Sequence, residues 1–227
     1  MNNKIILPSY VTKLPSSGKS VSYRPFTVKE EKTLLLALEE NDLLTISNAI
    51  KNTIRVCTDS AVDPDNVPYY DVEYLFLQIR SKSVGETVEL MGTCDCKHKT
   101  TFSVDISNTI VEGNTSVDKI KIPGTEYSVK IRHPSLSNFV SAMTDDAASG
   151  TETVASCIVS VYSEEEVFDW SFKEKLEFVE SMTPLQQKDI AAFLDRMPTV
   201  KLDASFTCEK CGLENKQTLS GFENFFL

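Results

Sequence analysis

The sequence lacks the motifs that carry most enzyme chemistry. Its eight glycines are scattered singly, so no phosphate-binding glycine loop occurs, and no G-x-S-x-G or H-E-x-x-H stretch is present. There are only two histidines. His98 lies two residues from Cys96, where a shared metal explains it better than catalysis, and His133 closes a strand with no acid or nucleophile pattern around it. We therefore expect a protein that is not an enzyme.

Long apolar runs are also missing. No stretch approaches the ~18 consecutive apolar residues that a membrane span requires, and the run that follows Met1 is too short for a signal peptide. We expect no membrane span and a reducing compartment. In such a compartment, six cysteines serve as metal ligands or free thiols more often than as disulfides.

Positive charge is scarce. The formal net charge is −10, with 33 acidic against 23 basic residues. An acidic surface repels phosphate, so we predict no nucleic-acid partner. The 227 residues, 41% of them apolar, are enough for one or two domains with a real core.

Four of the cysteines fall in two short turns, Cys-Asp-Cys-Lys-His at 94–98 and Cys-Glu-Lys-Cys-Gly at 208–212. Runs typical of short strands flank each turn, at 87–91 and 101–106 and at 204–207 and 216–219. Two such knuckles predict a zinc ribbon, in which four thiolates hold one tetrahedral ion. The predicted ligands of the expected Zn²⁺ are Cys94, Cys96, Cys208 and Cys211.

Three alternatives to this zinc site stay open. The C-x-C spacing is tighter than the usual C-x₂₋₄-C, and His98 could replace one thiol. The cysteines could instead be a cytosolic thiol pair or disulfides, although a redox C-x-x-C needs a βαβ setting that is not evident here. Cys57 continues the apolar stripe of a helix, and we interpret it as a core residue.

Apolar periodicity predicts helices in two regions. Thr27 and Glu30 form a capping box, apolar stripes follow it through 43–54 and 71–81, and the whole of 135–197 reads as helical, with 151–162 as one helix and a second capping box at Thr183. Residues 164–166, three glutamates, read as a charged helix entry. Between these regions, 117–132 reads as a hairpin around Pro123-Gly124.

The predicted fold class is α+β, mostly helical, with a small antiparallel β zinc-ribbon-like module formed by two distant cysteine hairpins. The predicted organisation has five parts: an extended N-terminal arm at 1–22, an N-terminal helical unit at 23–86, the zinc-ribbon-like module at 87–134 and 199–221, an inserted helical unit at 135–198, and an aromatic tail at 222–227.

Three parts of the sequence resemble one family. The stretch Arg-Pro-Phe-Thr-Val-Lys-Glu-Glu-Lys at 24–32, the block at 71–86, and the two cysteine pairs with the ending at 219–226 are similar to the baseplate hub assembly proteins of T-even-type contractile-tailed phages. The C-x-C pair departs from that family's more usual C-x-x-C.

The resemblance implies a non-catalytic role in building the baseplate hub, as a tail assembly chaperone or as a hub subunit. It implies that the partners are other hub proteins, and that the protein acts late, in the host cytoplasm during assembly or in the virion baseplate. The alternative is a zinc-ribbon accessory protein of nucleic-acid or transcription machinery. Candidate partner contacts are Arg24, Tyr74, Arg80, Phe222, Phe225 and Phe226; the arginines could instead pair with Glu30, Glu73 or Glu86, and the tail could pack on its own domain.

Overall fold

The computed structural model describes residues 5–115, 118–144 and 149–220. In chain order, its elements are β1 (Tyr10–Lys13), β2 (Ser20–Tyr23), α1 (Val28–Glu40), α2 (Leu43–Cys57), α3 (Tyr69–Ser83), β3 (Thr87–Thr93), β4 (Lys99–Asp105), a 3₁₀ turn (Ile106–Asn108), β5 (Ile110–Glu112), β6 (Asp118–Lys121), β7 (Ser128–Ile131), α4 (Leu136–Thr144), α5 (Ser149–Cys157), β8 (Ile158–Tyr162), β9 (Val167–Phe168), α6 (Phe172–Glu180), α7 (Pro184–Leu194), β10 (Thr199–Thr207) and β11 (Glu214–Ser220). None of the helices in these ranges has the length and apolar character needed to cross a membrane.

Helix α3 lies between two hydrophobic clusters. One of its faces, which includes Phe76 and Ile79, packs with α1, α2 and α4. The opposite face, which includes Tyr70 and Leu77, packs against residues of β3, β4, β10 and β11. A helix that is buried on several sides must be apolar nearly all round, and this explains why α3 shows a weaker stripe than α2.

The predicted capping boxes at Thr27 and Thr183 are confirmed. The Glu30 carboxylate accepts hydrogen bonds from the Thr27 N–H (2.6 Å) and from the Thr27 hydroxyl (2.9 Å). Helix α1 begins at Val28, directly after Thr27. The Gln186 side-chain oxygen accepts from the Thr183 N–H at 2.9 Å, and α7 follows with proline in its first turn. These bonds satisfy donors that the helix leaves unpaired at its start.

The N-terminal segment is anchored to α3. Strands β1 and β2 form an antiparallel hairpin in which Tyr10 lies opposite Tyr23. In the turn, the Ser16 N–H donates to Asp71 Oδ1 at 2.9 Å, and the Ser16 hydroxyl bonds to Oδ2. The described part of the predicted arm therefore forms a hairpin held at the first turn of α3.

The prediction of a mostly helical chain is wrong. In the part of the chain that the structure describes, seven helices hold 40% of the residues, and 26% lie in the strands of four small sheets. These sheets have the orders β1-β2, β3-β4, β11-β10-β5 and β6-β7-β8-β9 within the described ranges. The fold is α+β with a substantial strand content.

The error is concentrated between 151 and 168. We predicted a helix over 151–162, but α5 ends at Cys157 and the next five residues form β8. The sequence Ile-Val-Ser-Val-Tyr is rich in β-branched side chains, which favour strands, and its Ile158 and Val161 also happen to fit a helical spacing. The three glutamates predicted to start a helix lie in the turn between β8 and β9, where the Ser163 N–H donates to the Glu166 carbonyl at 2.9 Å.

The predicted hairpin around Pro123-Gly124 is present as β6 and β7. It pairs with β8, not with the cysteine hairpins. Its sheet packs against α5, α6 and α7 around a third cluster that includes Val129, Val161 and Ile190. The five-part division of the chain stays a prediction, but hydrogen bonding joins 118–131 to the segment that we described as inserted and helical.

Candidate metal centre

The first cysteine turn joins β3 to β4. The Cys94 N–H donates to the His98 carbonyl at 3.0 Å, and the Lys97 N–H donates to the Cys94 carbonyl at 2.7 Å. Lys97 adopts a left-handed backbone, with φ of 63°. This conformation is uncommon for a residue with a side chain, and it closes the turn in the small space that the C-x-C spacing leaves.

The second turn joins β10 to β11 and is also closed by a residue with a left-handed backbone, in this case a glycine. The Cys208 N–H donates to the Leu213 carbonyl, and the Gly212 N–H donates to the Cys208 carbonyl, each at 2.9 Å. Gly212 has a φ of 71°, which glycine adopts without a steric penalty. Both turns therefore return their chain into an antiparallel partner strand directly after the cysteines.

The two hairpins pack against each other through an aromatic contact. The rings of Phe102 and Phe206 stack with centroids 4.8 Å apart and planes 17° from parallel. Gly92 lies against the Phe206 ring so closely that an added Cβ would come within 2.4 Å of a ring carbon. The Glu209 N–H also reaches the Thr100 hydroxyl at 3.4 Å. Gly92 and Phe206 each precede a cysteine by two residues, so this contact fixes the distance between the turns.

The four predicted ligands converge. The Sγ atoms of Cys94, Cys96, Cys208 and Cys211, hereafter the four-thiol cluster, all lie within 4.8 Å of one another. Two contacts across the hairpins, Cys94 to Cys211 and Cys96 to Cys208, measure 3.6 Å. A tetrahedral ion with Zn–S bonds of ~2.3 Å needs sulfurs roughly 3.8 Å apart. The donor set and its spacing therefore fit a tetrahedral metal.

The cluster favours a thiolate at one position, Cys208. Its members are free cysteines, with Cys94 and Cys208 buried. Hydrogen bonds from the backbone N–H groups of Cys211 and Lys210 lower the pKa of Cys208 to about 6. At Cys211 a hydrogen bond from the Leu213 N–H lowers the pKa, but contacts with the other three thiols outweigh it and raise the pKa to about 12. Metal binding requires deprotonated sulfur, so the amides around Cys208 stabilise the form that a metal would bind.

The remaining cysteines and histidines lie outside the cluster. Cys57 and Cys157 are buried in separate apolar clusters, and burial raises the pKa of each to about 11. Cys57 is a core residue, as predicted. His98 lies next to the first turn but is not one of the residues that the structure brings together.

Two of the candidate partner contacts are satisfied within the chain. Arg24 and Glu30 form a two-pronged ion pair with N–O distances of 2.7 and 3.1 Å. The Tyr74 hydroxyl lies 3.2 Å from that of Thr12. Arg80 differs: no described residue forms an ion pair with it, and burial lowers its pKa. Phe222, Phe225 and Phe226 lie outside the described residues.

The sequence patterns singled out the four cysteines that converge but missed the residues that support them. Gly92, Phe102 and Phe206 were not singled out, although each stands on a strand next to a cysteine turn. A glycine within a strand is a usable signal, because it often marks a close approach by another group.

Fold and site together define an α+β protein in which two distant hairpins converge on a four-thiol cluster of the kind that binds metals. Residues 7–227 match the family model described as T4 bacteriophage base plate protein. The chain belongs to that family, which supports a structural or assembly role in the phage baseplate. Searches of curated proteins and of solved structures found no match.

Proposed function

We propose that this chain is a non-catalytic component of baseplate hub assembly that acts through protein–protein contacts. The family match over residues 7–227 carries this proposal. The acidic composition supports it, because a net charge of −10 disfavours the phosphate contacts on which nucleic-acid binding depends. The partners are other baseplate proteins, and the site of action is the host cytoplasm during assembly or the baseplate itself.

The four-thiol cluster holds one zinc ion in this proposal, and the ion is structural. Four protein ligands complete a tetrahedral shell and leave no open position for substrate. The ligands come in two pairs, Cys94 with Cys96 and Cys208 with Cys211, so the ion ties the β3–β4 hairpin to the β10–β11 hairpin. Such a link stabilises a surface that partners can recognise.

The partner surface in this proposal lies between α1 and α3. Arg80 is half-buried there beside Leu35 and Val84, whose side chains are 54% and 58% exposed. A guanidinium keeps its charge even when partly buried, and no described residue pairs with it as an ion pair. The combination of exposed apolar groups with an unpaired cation suits a partner segment that presents a carboxylate among apolar side chains.

Co-purification from phage-infected cells tests this surface. We expect Arg80→Ala and Leu35→Ser to leave thermal stability nearly unchanged and to remove baseplate proteins from the pull-down, as identified by mass spectrometry. Leu185→Ser is the matched control, since Leu185 is 70% exposed on α7, far along the chain. Retention of the same partners by all three variants would place the working surface elsewhere.

Quantitative mass spectrometry of purified particles separates the two roles within assembly. A hub subunit is present in the particle, whereas an assembly chaperone is required for assembly but absent from the particle.

A DNA-binding measurement tests the alternative function. Binding to a random DNA duplex should be undetectable at physiological salt. Micromolar, salt-sensitive binding would favour the nucleic-acid accessory role instead.

A further inference from the structure

An apolar groove lies between α2 and α4. Its volume is about 260 Å³, far more than the ~30 Å³ share of one water. The stacked rings of Tyr69 and Phe139, 4.4 Å apart, form part of its wall. The other lining residues are Leu43, Ile46, Ser47, Ile50, Leu136, Val140, Met143 and Ser220.

The rim of the groove is open to an incoming side chain. Met143 is 59% exposed and Leu43 is 42% exposed, whereas Ile50 and Leu136 are almost fully buried. The groove therefore has a buried floor and an accessible apolar edge. Water gains few hydrogen bonds in such a space, so apolar side chains are its favoured occupants.

Ser220 connects this groove to a matching sequence. It lines the groove and is the last residue of β11. The seven residues that follow it in the sequence, Gly-Phe-Glu-Asn-Phe-Phe-Leu at 221–227, contain three phenylalanines, one leucine and a single charged side chain. This segment lies outside the described residues.

We propose that the groove between α2 and α4 is the binding site for the chain's own segment 221–227. Seven residues reach up to roughly 23 Å from Ser220, so the segment is long enough to extend along the groove that Ser220 itself lines. A short tether gives a ligand an effective concentration in the millimolar range. Even a weak affinity for the aromatic side chains is then sufficient to fill the site. This inference rests on the groove and is independent of the partner surface at Arg80.

Proteolysis of the full chain tests the proposal. We expect Met143→Asp to release C-terminal peptides to chymotrypsin at least about fivefold faster than the wild type, because an aspartate at the groove edge disfavours apolar occupancy and segment opening governs cleavage. Met91→Asp is the matched control. Met91 is 64% exposed on β3, away from the groove, and its substitution should leave the release rate unchanged.

A synthetic peptide provides a second measurement. A fluorescent 221–227 peptide should bind a chain that ends at Ser220, and should bind the full chain at least about tenfold more weakly, because the tethered segment competes. Replacement of its phenylalanines by serine should abolish binding. If the truncated chain fails to fold, the comparison is made with Phe225→Ser/Phe226→Ser in the full chain.

Three results would overturn the proposal. The first is equal chymotrypsin release from the wild type and Met143→Asp. The second is equal peptide binding by the full and truncated chains. The third is a concentration-dependent dimer that disappears on truncation, which would assign the segment to the groove of a second copy.

Discussion

The helical N-terminal region and the cysteine hairpins are stabilised in different ways. Helices α1 to α4 bury a broad set of apolar side chains, among them Ile54 and Leu75, which are fully buried. Near the cysteine turns, the two hairpins meet through one aromatic stack, one glycine, four sulfurs and the hydrogen bond from the Glu209 N–H to the Thr100 hydroxyl. Apolar burial is spread over many residues, so no single change removes it, whereas the hairpin contact depends on a few atoms.

Because of this difference, we expect the two regions to respond unequally to reagents that attack sulfur. Chelators, oxidants and acid act on sulfur ligands and leave hydrocarbon contacts unchanged. A core substitution in α2 should weaken the hydrocarbon contacts and leave the four-thiol cluster unchanged. The four predictions that follow use this contrast, ordered from the largest expected effect to the smallest.

Loss of a metal ligand should have the largest effect. We expect about one zinc per chain by elemental analysis, and Cys208→Ser should remove it and destabilise the protein by at least about 4 kcal/mol, because structural zinc contributes folding free energy directly. Cys57→Ser is the control, since Cys57 is outside the four-thiol cluster and zinc content should persist. Less than about a tenth of an equivalent, with melting unchanged by a chelator, would contradict the zinc site.

Ile54→Ala should affect only the helical region. The side chain is fully buried, and truncations of this kind cost about 2–5 kcal/mol through lost burial and the resulting cavity. Zinc content should stay at the wild-type value. It is measured on the same preparation that is used for the denaturant titration. Val56→Ala on the same helix, at a residue that is 40% exposed, should cost under about 1 kcal/mol. A loss of zinc in Ile54→Ala would show that the two regions unfold together.

Gly92→Ala should separate the hairpins without touching a ligand. The new methyl group collides with the Phe206 ring, and such overpacking costs about 1–3 kcal/mol. Phe206→Leu should partly restore stability in the double variant, because the smaller side chain makes room for the methyl group. Gly150→Ala is the control, since an added Cβ there meets nothing within 4 Å. Equal thermal stability of Gly92→Ala and the wild type would contradict the close approach.

Glu30→Gln should produce the smallest change, and one that depends on pH. The hydrogen bond and charge of Arg24, with bonds from Thr27, lower the pKa of Glu30 to about 2. A depressed folded-state pKa stabilises the protein above the unfolded pKa near 4.5, and that stability is lost as the pH falls through about 2.

At pH 7 the variant should therefore lose about 1–2 kcal/mol, and the gap to the wild type should close between pH 4.5 and 2 in urea titrations. Glu31→Gln, the neighbouring acidic residue of the same helical turn, serves as the control. A gap that stays constant over this range would show that the carboxylate charge of Glu30 does not stabilise the fold.

The sequence predicted features that depend on local chemistry. Thr27 and Glu30 are three residues apart and act on one helix turn, so their capping box is readable without the fold. The four converging cysteines were also recognisable, because their turns and flanking strands are local patterns. The α2 stripe was clear because one face is buried and the other exposed.

The features that were missed depend on distant partners. Residues 158–162 become a strand because β7 offers them an edge. Their β-branched side chains favour a strand, but Ile158 and Val161 also fit the helical spacing, so the run alone does not decide between the two structures. The role of Gly92 depends on Phe206, more than a hundred residues later in the chain. Tyr10 and Val11 showed no hydrophobic period, because β1 is four residues long and its partner among the described strands is β2.

The distance along the chain between the two cysteine turns has a consequence for synthesis. Cys96 and Cys208 are 112 positions apart, and Cys94 and Cys211 are 117 apart. At ~5–20 residues per second, a ribosome adds the second pair roughly 6–22 s after the first. Throughout that interval the first two thiols have no partners from the second turn. A chain whose translation stops before Cys211 never completes the cluster, so the four converged sulfurs report that translation has passed the second turn.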